Sequence, residues 1–167
     1  MAVTPGGTEY DDDELDALFK AVGFVVVQWG QAEQSLDLAT AILYQNLGGK
    51  QCAKRLPKML ETKLAFLIEC LSQLPTLALL RAEGEALASN FRKLSNERHD
   101  LIHGAVATVS AKDGAFTFAK LDIKEDFHVV REVRLEASQF RALTRALLDL
   151  GAQATAFARR LWELVPK

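Results

Sequence analysis

The chain has 167 residues, of which 49% are apolar and 25% are charged, and its formal net charge is −2. This length lies in the usual single-domain range and supplies enough apolar surface for one sizeable core, so a second domain is not expected. The slight acidic balance excludes a protein that coats nucleic acid through a large overall positive charge, but it leaves a local basic site open.

The compartment is predicted from what the chain lacks. The first residues have neither the basic nor the apolar segment of a secretory signal, and the longest apolar run, residues 21–27, is far shorter than the ~20 residues that cross a bilayer. Cys52 and Cys70 have no short-spaced partner, so we interpret them as reduced, buried thiols. We expect a cytoplasmic protein without a membrane span, with residues 1–10 forming a flexible N-terminus.

A long first helix is predicted to begin in the acidic cluster at residues 11–14, where carboxylates face the positive end of the helix dipole, and to end at Gly48 and Gly49. Glu33 is the one charged residue in its apolar stripe. The stripe recurs every three or four positions: Leu15, Leu18, Phe19, Val22, Val25, Val26, Trp29, Leu36, Leu43 and Leu47.

A second helix is predicted from about Pro57 toward Pro75, since proline is tolerated in a first helical turn. Basic residues cluster around its start: Lys50, Lys54, Arg55, Lys58 and Lys63. Two interpretations remain open for this cluster, a solvated helix end and a patch that attracts phosphate. In the second, Lys54, Arg55 and Lys58 are the candidate RNA- or nucleotide-binding residues.

The third helix is predicted over about residues 76–103, with Gly104 as its C-terminal stop. Its core positions fall at alternating steps of three and four: Leu77, Leu80, Gly84, Leu87, Phe91, Leu94, Arg98 and Leu101. The pattern therefore places Arg98 in a slot that faces the core.

Residues 105–133 lack the helical apolar pattern and are predicted to form strands. The segments 105–110 and 116–121 flank a turn at residues 112–114, as a β-hairpin requires, and a third strand is predicted over 127–133. A last long helix follows, with the stripe Phe140, Leu143, Leu147, Leu150, Ala154, Phe157, Leu161 and Leu164. The predicted fold is mainly α: an up-and-down four-helix bundle with a small β-hairpin or three-stranded insertion before the last helix.

The apolar stripes of the first and last helices are long for a monomer of this size, so a homodimer is the expected assembly. Glu33 and Arg98 both lie in apolar stripes, and desolvating either charge alone is costly. We predict that Glu33 pairs with Arg98 across the helix interface. The alternative is that the stripes drift and leave one or both charges at the rim of the bundle.

His99 and His103 place two of the three histidines within six residues, beside Arg98. His103 lies in the last helical turn, where the negative end of the helix dipole favours the imidazolium form. A histidine poised near neutrality donates or accepts a proton. The i, i+4 spacing also suits zinc, but two ligands are too few, so no metal and no cofactor are predicted.

The stretch from Asn96 to Gly104 resembles the signature of the HEPN superfamily, an arginine followed by a polar residue, three further residues and a histidine. Arg98, His99 and His103 fill the three defined positions. In the first helix, Trp29, Glu33 and Leu36 form a W-x3-E-x2-L pattern that is similar to uncharacterised bacterial HEPN-like proteins. The resemblance covers nearly the whole chain, as a single helical domain over residues 11–167.

The resemblance implies a homodimer whose two motifs face one cleft and, in active members, a metal-independent endoribonuclease that serves as a toxin or defence component. Arg98, His99 and His103 are then the catalytic residues, with Glu33 and Asn96 in support. RNA, such as a tRNA or short loop, is the expected substrate, and an antitoxin protein is an expected partner. The alternative is a noncatalytic HEPN-like dimer that binds a nucleotide or a protein partner.

His128 has no evident partner and is predicted to lie on a strand surface. Trp29 and Trp162 have helical-stripe neighbours, so we interpret them as core or dimer-interface residues rather than as base-stacking platforms.

Overall fold

A computed structural model describes residues 12–110, 115–124 and 127–166. The predicted flexible segment 1–10 and the predicted turn at 112–114 lie outside these residues. For residues 105–110 the structure describes the backbone alone.

The described residues form four α-helices, two short 3-10 helices and three strands. The α-helices are α1 (Asp12–Asn46), α2 (Leu60–Gln73), α3 (Arg81–His103) and α4 (Ala137–Glu163). The strands are β1 (Ala105–Ser110), β2 (Ala115–Lys124) and β3 (Phe127–Leu135), and the 3-10 helices cover Gly49–Gln51 and Pro75–Leu80. This confirms the predicted mainly α fold with a small antiparallel sheet before the last helix, and the sheet has three strands.

Two helix starts differ from the prediction. The second helix begins at Leu60 rather than at Pro57, because Met59 is held in an extended conformation (φ −85°, ψ 147°). The third begins at Arg81, and a 3-10 helix occupies the segment from Pro75 to Leu80. Pro75 disfavours a helical conformation at Leu74, which is extended (φ −97°, ψ 108°), and this interrupts the helix at the proline.

Two glycines mark helix ends for different reasons. Gly48, which follows α1, has a φ of 87°, the left-handed conformation that glycine adopts without a steric penalty. Gly104, which follows α3, is required by a close approach instead. A Cβ at this position would lie 2.8 Å from both the Asp100 carbonyl oxygen and the Phe118 Cβ, so the helix end rests directly on strand β2.

The described chain divides into two compact units, one of Met1–Val27 with Ser95–Arg145 and one of Gln28–Leu94 with Ala146–Lys167. We call them the sheet unit and the helical unit. The prediction of a single domain over residues 11–167 stays a prediction.

In the helical unit, segments of all four helices share one apolar core. The rings of Trp29 (α1) and Phe91 (α3) meet edge to face with centroids 5.8 Å apart. A Cβ on Gly84 of α3 would overlap the Leu71 methyl Cδ1 of α2 and lie 3.1 Å from Phe157 Cζ of α4. The glycine in the predicted stripe of the third helix therefore allows α2 and α4 to pack closely on α3.

In the sheet unit, the strands are antiparallel in the order β1, β2, β3. One face of β2 packs inward, with Phe116 and Phe118 buried and the Phe116 ring meeting that of Phe140 on α4 at 5.4 Å. The opposite face points outward, where the directly paired Leu121 and Val130 are 55% and 65% exposed. The alternation along β2 thus fixes which side chains face the helices.

The predicted stripes are largely buried, with exceptions in the first helix and just after the last one. Phe19 is 66% exposed, Val26 is 45% exposed and Leu164 is 43% exposed, so these three stripe positions do not lie in the core. Their neighbours Leu18, Val25 and Leu161 are buried. The buried face at these positions is narrower than the apolar sequence pattern.

Judged by length and hydropathy, no individual helix in the described part of the chain qualifies as a membrane span. The segments Leu60–Gln73 and Pro75–His103 qualify only as a pair, with a bend of 116° between them.

Candidate functional site

The two histidines of the predicted motif lie together at the C-terminal end of α3. Their ring centroids are 4.5 Å apart, with the planes inclined by 49°, because residues four apart on a helix share one face. His99 and His103 are both exposed. The site thus presents two solvent-accessible imidazoles within reach of one small ligand.

The other motif residues differ in their exposure. Arg98, one residue before His99, is part-buried, which agrees with its predicted core-facing slot, whereas Asn96 is exposed. Leu101 is buried at 2% exposure and anchors this turn of the helix in the core. The helix therefore holds Arg98 and the histidine pair on a turn that packing keeps in place.

Asp100 lies between the two histidines in sequence and joins α3 to the sheet. Lys120 Nζ donates to its Oδ1 at 2.7 Å, and Arg131 donates through Nη2 to Oδ1 at 2.8 Å and through Nη1 to Oδ2 at 3.1 Å. Arg131 Nε also donates to Asp122 Oδ2 at 3.0 Å. Lys120 and Arg131 are directly paired across β2 and β3, so one carboxylate contacts both strands.

These contacts change two pKa values. Hydrogen bonds from Arg131, and then from Lys120, lower the pKa of the Asp100 carboxyl from 3.8 to about 2. The pKa of His99 is lowered from 6.5, first by partial desolvation of the ring and then by the positive charges of Lys120 and His103. The Asp100 charge acts in the opposite direction but is outweighed. The lowered pKa therefore favours the neutral form of His99.

Glu33 has contacts that the sequence prediction did not include. Trp29 Nε1 donates to Glu33 Oε2 at 3.0 Å, and Lys63 Nζ lies 3.6 Å from Glu33 Oε1. The W-x3-E pattern thus corresponds to a hydrogen bond between successive turns of α1. Glu33 belongs to the helical unit and Arg98 to the sheet unit, and their pairing stays a prediction.

Lys63 corrects the interpretation of the basic cluster around the start of the second helix. Its side chain is only 7% exposed, and its ammonium contacts both Glu33 and Asp37. A buried cation needs such partners because an unpaired charge is costly to desolvate. Lys63 is therefore an internal ion-pair residue, neither a solvated helix end nor part of a phosphate-attracting patch.

The candidate RNA-binding residues Lys54, Arg55 and Lys58 are exposed and lie in the segment between the first 3-10 helix and α2. Tyr44 of α1 donates a hydrogen bond to the Lys54 carbonyl oxygen at 3.2 Å, which fixes the backbone of this segment. Exposure is compatible with both interpretations of the cluster, and the binding role stays a prediction.

Metal ligation depends on how many donors converge. Within residues 12–110, 115–124 and 127–166, no group of three or more histidine, cysteine, aspartate or glutamate side chains is placed to hold a metal ion. His99 and His103 by themselves offer two nitrogen ligands.

The sequence interpretation missed Asp100, Lys120, Asp122 and Arg131 as a connected group. Asp100 stood next to His99 in the motif, and Lys120 and Asp122 alternate in β2 as same-face residues do. What the sequence does not contain is the register that pairs Lys120 with Arg131.

Comparison with known proteins gives no identification. No protein-family model, curated protein or solved structure matches this chain.

The ion pairs of Asp100 predict a pH-dependent stability. Asp100→Asn should lower the free energy of unfolding by about 2 kcal/mol at neutral pH, because the cations lose their charged partner. The folded-state pKa is about 2, below the unfolded value of 3.8, so the stabilisation is complete above pH 4 and is lost as the pH falls toward 2. Urea unfolding of both proteins between pH 7 and 2 measures this difference.

The matched control is Asp16→Asn, which removes a carboxylate that is 72% exposed and 4.0 Å from Lys20. It should change stability by less than about 0.5 kcal/mol. Equal stability of Asp100→Asn and the wild type at pH 7 would contradict the assignment.

Proposed function

We propose that this chain is a metal-independent endoribonuclease of the HEPN type, which cleaves RNA through attack by the ribose 2′-hydroxyl. The observation that carries the proposal is the exposed pair of imidazoles, His99 and His103, 4.5 Å apart and adjacent in sequence to Arg98. These residues also fill the three positions of the R-x4-H signature.

The proposed reaction needs a proton acceptor, a proton donor and a positive charge near the phosphate. His99, whose lowered pKa favours the neutral form, accepts the proton of the 2′-hydroxyl, and the 2′-oxygen bonds to phosphorus. His103 donates a proton to the 5′-oxygen as its bond to phosphorus breaks. Arg98 binds the phosphate oxygens through its guanidinium fork. The products are a 2′,3′-cyclic phosphate and a free 5′-hydroxyl.

The Asp100 cluster supports this division of roles. Its carboxylate binds Lys120 and Arg131, so it is already engaged as an acceptor by two cations beside the histidine pair. Lys120 in turn opposes protonation of His99. The same charges that fasten the sheet to α3 thus keep one imidazole available as a base.

The expected substrate is a defined RNA, such as one tRNA or a short loop, rather than RNA in general. With a net charge of −2 the chain lacks the overall electrostatic attraction of a nonspecific binder, and Lys54, Arg55 and Lys58 offer a small local patch. A role as a toxin or defence component, with an antitoxin partner and a cytoplasmic site of action, completes the proposal.

Cleavage of RNA in the presence of EDTA tests the proposal. Wild-type protein is incubated with total tRNA and with a mixed RNA pool, and the fragment ends are mapped. The wild type should release fragments that end in a 2′,3′-cyclic phosphate, whereas Arg98→Ala and His103→Ala should each be at least about 100-fold slower.

His128→Ala is the matched control, since His128 is an exposed histidine on the outward face of β3 and should be dispensable. Thermal unfolding of each variant confirms that it is folded. Cleavage that survives in His103→Ala, or the absence of cleavage by the wild type on both RNA samples, would contradict the proposal.

The second candidate is a noncatalytic dimer that binds a nucleotide or a protein partner. The dimer, which is expected for both candidates, is supported by an apolar groove of about 430 Å³ in the helical unit, between α1 and α4. Leu38, Ile42, Ala158 and Trp162 line it, and Arg159 lies at its edge. Trp162 is 61% exposed and Leu38 is 56% exposed, so large apolar side chains stand beside a hollow on the same surface.

An exposed tryptophan and an apolar groove on one surface suit a two-fold symmetric interface, in which each copy presents both features to the other. The occupant we propose is a second copy of this chain. Sedimentation should then show a dimer for the wild type and a monomer for Trp162→Glu. Leu79→Glu, which changes an apolar residue that is 93% exposed and outside the groove, should remain dimeric. A monomeric wild type would contradict this interface.

A further inference from the structure

The two cysteines of the chain lie on neighbouring elements of the helical unit. Cys52 ends the short 3-10 helix Gly49–Gln51, and Cys70 lies in the last turn of α2. Both are free, with Cys70 buried and Cys52 only part-buried, which corrects the prediction that both thiols are buried.

Packing around the pair holds the Cys52 segment against α2. A Cβ on Gly49 would lie 2.7 Å from Phe66 Cζ, so the backbone just before Cys52 rests on this helix. Cys52 Sγ also lies 3.9 Å from Gln73 Oε1, one turn beyond Cys70. These two contacts lie one turn before and one turn after Cys70 on the same face of α2, so they hold Cys52 beside Cys70.

We propose that Cys52 and Cys70 form a reversible intramolecular disulfide when the protein meets hydrogen peroxide. The Cys52 thiolate attacks one peroxide oxygen, the O–O bond breaks, and water leaves after protonation, which gives a sulfenic acid. The Cys70 sulfur then attacks the Cys52 sulfur and displaces a second water. Two thiols lose two hydrogen atoms, and one peroxide is reduced to two waters.

The surroundings of the two sulfurs set the order of these steps. Cys52 is accessible from solvent and meets the oxidant first. Cys70 is shielded, and burial raises the pKa of its thiol well above the usual range. Cys70 is therefore the resolving cysteine, which reacts once the neighbouring sulfur is oxidised.

The disulfide would close a loop of about 19 residues that contains Lys54, Arg55 and Lys58. Tyr44 already holds the Lys54 carbonyl from the α1 side. Oxidation would add a covalent tie to α2 and restrict the segment that carries this basic patch. The inference does not depend on the proposed ribonuclease activity.

Intact mass after oxidation tests the proposal directly. The folded wild type is treated with a small excess of hydrogen peroxide, quenched with catalase, denatured and alkylated. The expected product is a monomer that has lost two hydrogen atoms, about 2 Da, and takes up no alkyl group. Reduction with dithiothreitol should restore two alkylatable thiols, and peptide mapping should join residues 52 and 70.

Two serine variants separate the roles of the cysteines. Folded Cys70→Ser should accumulate a sulfenic acid at Cys52 that dimedone traps, whereas folded Cys52→Ser should give no dimedone adduct. The oxidised wild type should unfold about 5–10 °C above the reduced form, as closure of this loop predicts.

A wild-type monomer that keeps two alkylatable thiols after oxidation would overturn the proposal. So would a product in which Cys52 is joined to a second chain or oxidised to a sulfinic acid while Cys70 stays free. The wild-type mass result stands even where a serine substitution impairs folding.

Discussion

The carboxylate of Asp100 is the constraint on which the candidate site depends. Its side chain is 24% exposed and sits between the end of α3 and the paired residues Lys120 and Arg131. A part-buried Asp100 carboxylate without cationic partners would cost several kcal/mol of stability. Lys120 and Arg131 of the sheet supply these partners. The register of β2 and β3 and the end of α3 are thereby tied to one group.

The histidine pair lies beside the ion pairs of Asp100, and these charges affect the pKa of His99. His99 and His103 occupy the exposed face of this helix end, on either side of Asp100 in sequence. Partial desolvation of the ring, followed by the positive charge of Lys120, outweighs the charge of Asp100, so the pKa of His99 falls rather than rises. Lys120, a member of the Asp100 ion-pair cluster, thus contributes to the lowered pKa of His99.

The helical unit also contains a buried charge with ion-pair partners, Lys63. This lysine lies in α2 with its side chain almost fully buried, and Glu33 and Asp37 of α1 supply the opposite charge. Glu33 also accepts the Trp29 indole hydrogen bond, so the indole is buried with its polar group satisfied. Glu33, the charged residue in the apolar stripe of the first helix, is therefore paired with Lys63 inside the helical unit.

Most of the element order could be predicted from the sequence, because long helices repeat an apolar pattern over many turns. The steps of three and four in α3 placed Leu94, Arg98 and Leu101 on the face toward the core, where Leu94 and Leu101 are buried and Arg98 is part-buried. The fold class is confirmed for the same reason. Periodicity does not give the width of the buried face, so Phe19 belongs to the predicted stripe although it is exposed.

The site was only partly predictable. Helical spacing alone brings His99 next to His103, and this contact follows from sequence. The contacts of Asp100 with the sheet and of Lys63 with α1 depend on which residues are opposed in three dimensions. A list of charges along the chain does not contain that information, and Lys63 was accordingly grouped with the exposed lysines.

The most direct test is the titration of His99, followed by NMR through its imidazole C2 proton. The apparent pKa of His99 should lie below 6.5 in the wild type and should rise in Lys120→Met, because this substitution removes a nearby positive charge and leaves Arg131 bound to Asp100. A His99 pKa at or above 6.5 that does not change in Lys120→Met would contradict the account, since the Asp100 cluster would then have no influence on the candidate base.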